Sequence, residues 1–155
     1  MGNIGSLMQR IAERPRDMNT LLALVEALIG ARSWDAAETF AQRAVTLDGR
    51  DSRPLYLLGI IRHNQGREQE AAELLERVVA LRDEPSVRYS LGVLYLYFLD
   101  DAVHGLAHLR AGLAAPQIPP GLAASIRREL ARCGADEEGV IPADEQPSVG
   151  SGRRP

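Results

Sequence analysis

The sequence has no lysine: all 18 of its basic residues are arginine, a bias in keeping with a GC-rich bacterial genome. It has one cysteine, Cys133, so an intrachain disulfide and a cysteine-based metal cluster are both excluded, and a reducing compartment fits. Aromatic residues make up only 5% of the chain. No segment approaches the roughly 18 consecutive apolar residues that a membrane span needs. The N-terminal stretch also lacks a basic leader followed by an apolar run, so a cytoplasmic location is the expectation. Met1-Gly2 with Ser6 matches an N-myristoylation signal in form, but the pattern is too short to carry weight in a bacterial-looking chain. With a net charge of -3, no basic stripe is available to neutralise phosphates, which argues against a nucleic-acid partner.

Catalytic patterns are missing as well. The serines fall at helix starts, in turns or in the last residues, without a nucleophile-elbow setting, and the glycines are spread singly rather than gathered into a phosphate loop. His104 and His108 stand four apart, a spacing that lets two imidazoles reach one metal, but Gly105, Leu106 and Ala107 between them supply no base and no third ligand is in view. They read as solvated histidines on the outward face of a helix. The expectation is a chain that is not an enzyme and needs no cofactor or metal.

What is present is a repeat. The stretch from Leu55 to Leu81 contains two apolar helical patterns separated by Asn64-Gln65-Gly66-Arg67. A shift of 34 residues places Leu58 on Leu24, Ala71 on Ala37 and Leu81 on Leu47, and a shift of 33 carries Leu58-Gly59 onto Leu91-Gly92. One helical hairpin is written about three times. The middle copy holds Leu58, Gly59, Gly66 and Ala71; the first holds Leu24, Trp34, Asp35, Ala37 and Ala44; the third holds Leu91, Gly92, Tyr95 and Ala102 and reads as shortened by two residues between its helices. Gly59 and Gly92 are expected where the first helix of a hairpin touches the second, with Ala37, Ala71 and Ala102 on the facing surface, so that the axes can approach closely.

These residues, at this period, resemble the tetratricopeptide repeat, although no copy keeps its whole signature. The resemblance implies an all-α fold, a right-handed α-solenoid of hairpins. The expected organisation is a half-repeat over 3–15, repeats over 18–51, 52–84 and 85–116, a capping helix over 119–133 and a disordered tail over 134–155, rich in Gly, Pro, Asp and Glu. Ile4, Leu7, Met8 and Ile11 give the leading helix one apolar face, either a cap for the solenoid or an arm that docks on a partner or a second copy. Asn19 or Thr20 is expected to cap the first repeat helix, and Ser52 to open the second repeat.

The resemblance also implies a concave groove lined by the first helix of each hairpin. Carried across the copies, its positions are Leu22, Glu26 and Ile29 in the first; Arg53, Tyr56, Ile60, His63 and Asn64 in the second; and Tyr89, Val93, Leu96 and Tyr97 in the third. This strip is apolar and aromatic toward its third copy. It lacks the lysines of repeats that clamp a C-terminal carboxylate. Either the neighbouring hairpins bury it, or it is a partner surface for an extended or helical protein segment. The layout of three repeats between two flanking helices is similar to that of bacterial type III secretion chaperones, which implies an adaptor or chaperone; the other reading is a self-assembling scaffold joined through the N-terminal helix.

Overall fold

The computed structural model describes residues 3–135. Its helices are α1 (Ile4–Glu13), α2 (Met18–Gly30), α3 (Trp34–Leu47), α4 (Ser52–Asn64), α5 (Glu68–Leu81), α6 (Pro85–Tyr97), α7 (Ala102–Leu113) and α8 (Pro120–Arg132), and there is no strand among the described residues. Met1, Gly2 and positions 136–155 lie outside them, as do the myristoylation pattern's first residues and most of the tail. Gly134 and Ala135, read from the sequence as the start of the tail, close α8: Gly134 is left-handed at φ 66°, and the Ala135 amide donates to the Leu130 carbonyl over 2.9 Å.

Local chemistry starts the helices. Asn3, Asp17, Asp51 and Asp101 each accept a hydrogen bond from a backbone N–H in the first turn of α1, α2, α4 and α7. One of these caps corrects the sequence reading, and α4 opens at Ser52 as expected. Asp17 rather than Asn19 or Thr20 caps α2, taking the Thr20 amide at 3.3 Å and the Thr20 hydroxyl at 2.9 Å, and Asp51 precedes Ser52 as the cap of α4. A carboxylate satisfies the free amides and also meets the positive end of the helix dipole. Between the helices of each hairpin one residue turns left-handed, and these residues recur at Arg32, Gly66 and Asp100.

The hairpins close through small residues, with one revision to the third. A Cβ added to Gly59 would lie 3.0 Å from Leu75 Cδ2, as expected for the contact between α4 and α5. On Gly92 it would lie 2.6 Å from Leu109 Cγ and 3.1 Å from the Gly105 carbonyl. The residue facing Gly92 is therefore Gly105, whereas Ala102 is exposed at the start of α7. The third hairpin has one residue more between its paired small positions, not two fewer, and the extra residue is taken up where the Asp101 amide donates to Tyr95 O over 2.9 Å. Matching alanine to alanine misplaced the register because glycine serves the same close approach.

Burial is divided along the chain. Leu21, Leu24, Val25, Ala37, Ala41 and Ile61 belong to a first core that α1 covers with Leu7 and Ile11; Leu55, Ala71, Leu75 and Leu91 belong to a second; Leu109, Ile126 and Leu130 form a third under α8. The four apolar residues of α1 split: Leu7 and Ile11 are buried, while Met8 is 48% exposed. Stacking hairpins so that each touches mainly its neighbours produces such a linear series of cores.

Candidate functional groove

The first helices of the hairpins, α2, α4 and α6, leave two adjoining hollows. The smaller, about 260 Å³, lies between α4 and α6 and is walled by Tyr56, Ile60, His63, Tyr89, Val93 and Phe98, with Gly59 and Leu75 also lining it. Gly59 contributes by lacking a side chain. The larger, about 570 Å³, spans α2, α4 and α6 near their N-terminal ends and includes Leu22, Glu26, Arg53 and Tyr56 together with Asn19, Arg82 and Glu84. Tyr56 belongs to both, so the two hollows form one continuous groove.

Its two parts differ in chemistry. The α4–α6 pocket is mainly apolar; His63 is tied by Nδ1 to Glu68 at 2.6 Å and meets the Phe98 ring edge-on, the centroids 4.8 Å apart. In the larger hollow Arg53 donates from Nε and Nη2 to Asp51, at 3.0 and 2.7 Å, and from Nη1 to Asn19 at 3.3 Å. That guanidinium holds the Asp51 carboxyl below the usual carboxylate range, and its own pKa is raised in turn.

No family model matches the sequence, and no curated protein does. Solved structures do. TTC0263, a thermophilic TPR protein of Thermus thermophilus, superimposes with a TM-score of 0.70 at 21% identity over 83% of this chain and 71% of its own. PcrH, in complex with the chaperone binding region of PopD, gives 0.66 at 25% identity over 74% of this chain and 88% of its own. SycD, the type III secretion translocator chaperone of Yersinia enterocolitica, gives 0.66 at 18% identity over 74% and 81%. This is a tetratricopeptide-repeat fold.

Within the tetratricopeptide solenoid, four of the twelve groove positions read from the sequence fall outside both hollows. Leu96 points the other way, its Cγ 2.7 Å from where a Cβ on Gly105 would sit, and it packs on the third core. Tyr97 is half-exposed, but its hydroxyl donates to Glu129 on α8. Ile29 packs on the first core, and Asn64 is exposed with its amide donating to the Ile60 carbonyl at 2.9 Å. Leu22 lines the larger hollow while only 7% exposed. α6 keeps the length and the 33-residue offset of α4, and the departure comes after its end, where the longer connection to α7 begins and Phe98 enters the pocket. The sequence signal for Phe98 was its place in the Leu96-Tyr97-Phe98-Leu99 run, which the repeat register could not phase.

The two histidines of α7 also divide, which corrects the reading of both as solvated. His104 is exposed and bonded through Nδ1 to its own helix cap, Asp101, at 2.6 Å. His108 is 7% exposed and lies between helices: Nε2 meets Glu76 of α5 at 2.6 Å, Nδ1 meets Arg88 of α6 at 3.1 Å, and the ring stacks on Tyr95 at 5.7 Å. Arginine can only donate, so Nδ1 accepts and Nε2 carries the proton that is given to Glu76. The Tyr95 hydroxyl donates to the same Glu76 oxygen at 3.0 Å, and burial, followed by that carboxylate, pushes its pKa up to about 12. Each histidine has its own carboxylate, and no cluster of three metal-ligating side chains exists among the described residues.

Proposed function

We propose that this chain is a non-catalytic binding module that receives an extended or helical segment of another protein in the groove between α2, α4 and α6. The observation that carries the reading is the open apolar pocket between α4 and α6, where Tyr56, Ile60, Tyr89, Val93 and Phe98 converge without a neighbouring hairpin covering them. An apolar concavity of this kind suits a partner's side chain and is costly to leave in water. PcrH, of similar fold, is known in complex with a region of PopD, which supports a role as adaptor or chaperone. The likeness to SycD supports the narrower reading, a chaperone of a secreted partner in the bacterial cytoplasm. No described helix is long and apolar enough to cross a membrane. Self-assembly through α1 is the second reading, favoured by the exposure of Met8 on that helix.

The test is a titration of the partner recovered by pull-down against wild type and a Tyr56→Ala, Tyr89→Ala variant. Loss of both aromatic walls should weaken binding by roughly 1–4 kcal/mol while helicity by circular dichroism is retained. Binding should fall only modestly with salt, because the α4–α6 pocket that anchors the segment is mainly apolar. Equal affinities for two folded proteins would remove the groove from consideration. Light scattering addresses self-assembly: growth in mass with concentration, in the absence of partner and abolished by Met8→Glu, supports the scaffold.

A further inference from the structure

The charges along the groove are not equivalent, and the difference bears on which segments it accepts. The larger hollow is lined by two arginines and two glutamates, Arg53, Arg82, Glu26 and Glu84. Arg53 is held in a two-point contact by Asp51, and Arg82 Nε is paired with Glu84 at 2.6 Å. Each cation already has its anion. Glu26 is exposed on α2 and makes no hydrogen bond or ion pair with any described residue. The charge left unanswered on this side of Tyr56 is therefore one carboxylate. On the other side, the pocket of about 260 Å³ offers aromatic and aliphatic walls and would strip the water from any charged group placed there.

We propose that the groove selects an extended segment with an aliphatic side chain for the α4–α6 pocket and a lysine or arginine for Glu26. The spacing follows from geometry: the pocket lies on the far side of α4 from Glu26, about one and a half helix spacings of roughly 8–10 Å away, and an extended chain covers roughly 3.3–3.6 Å per residue, so the cation should stand about three to five residues from the aliphatic anchor. The inference rests on the reading that this groove binds a protein segment. It adds the sign of the partner's charge and the side of the anchor on which that charge lies.

Selection of a random peptide library on the immobilised full chain tests it, run in parallel on wild type, Glu26→Arg and the Tyr56→Ala, Tyr89→Ala variant. Wild type should enrich peptides with an aliphatic residue and a basic residue at that spacing. By fluorescence anisotropy, Glu26→Arg should bind such a peptide about three- to tenfold more weakly, as expected for replacing an exposed attraction by a repulsion, and should regain affinity when the peptide's basic residue is changed to glutamate. Peptides that keep the aliphatic anchor without a basic residue, or that carry an acidic one, would overturn the inference and leave the groove reading intact, as would indifference to Glu26→Arg. Peptides that bind the double tyrosine variant as well as wild type, or a failure to enrich any, would overturn both. Glu26 is exposed on the middle of α2, so Glu26→Arg should fold, and circular dichroism on each variant checks it.

Discussion

Gly92 shows how much a single missing methyl decides. Leu109 is fully buried and Gly105 offers backbone rather than a movable side chain, so a Cβ 2.6 Å from Leu109 Cγ has nowhere to displace its neighbour. Alanine is the better helix former by about 1 kcal/mol, but overpacking outweighs that gain. Gly92→Ala should lower stability in urea by about 1–3 kcal/mol. Gly59→Ala should cost less, because its nearest neighbour is the end of Leu75 at 3.0 Å. The opposite order would show that the third hairpin is not the tighter one. Both glycines could be found in the sequence; their unequal tolerance could not, because it depends on Gly105 and Leu109.

At the scale of the helix, the hairpins are joined by polar groups as well as by apolar faces. Arg62 of α4 is nearly buried, and it pairs with Glu38 of α3, which also accepts from Gln65 at 2.7 Å. The Arg62 hydrogen bond, then the Gln65 one, holds the Glu38 carboxyl below its ordinary value of 4.5. A carboxyl with a lower pKa in the folded state adds stability above the unfolded value, and that part is lost as pH falls through the folded one. The gap in melting temperature between wild type and Glu38→Gln should therefore be full at pH 7 and shrink as the buffer drops below about pH 4.5. A gap constant with pH would mean that the ionised form is not what matters. Between α5, α6 and α7 the corresponding tie is His108 with Glu76 and Arg88. His108→Ala removes a ring stacked on Tyr95 and leaves Arg88 Nη1 without its acceptor, and should cost about 1–3 kcal/mol; His104→Ala, on the exposed side, should cost at most about 1 kcal/mol.

For the whole molecule, the consequence of serial cores is that damage stays local. Ile126 of α8 is fully buried against Leu109 and Leu130. Ile126→Ala should cost about 2–5 kcal/mol, and hydrogen exchange should quicken first in α6, α7 and α8 while α2 and α3 keep their protection. Uniform quickening along the chain would contradict a stack held by nearest-neighbour contacts. The groove spans these units, drawing Glu26 from the first hairpin and Phe98 from the third, so a partner laid along it would also tie them together.

The sequence by itself determined the repeat. A period of 33 to 34 residues with leucine, glycine and alanine at fixed offsets can be satisfied by helical hairpins that need small residues where they touch, and this requirement is local enough to be written in each copy. The apolar pocket was legible for the same reason, since Tyr56, Ile60, His63, Tyr89 and Val93 follow the register of the paired glycines. The tertiary structure decided what depends on a neighbouring element: that the third hairpin closes on Gly105, that Leu96 turns inward and Phe98 outward, and that His108 is enclosed by α5 and α6 while His104 is not. A helix's own residues fix its faces, but which face meets water is set by the helices packed against it.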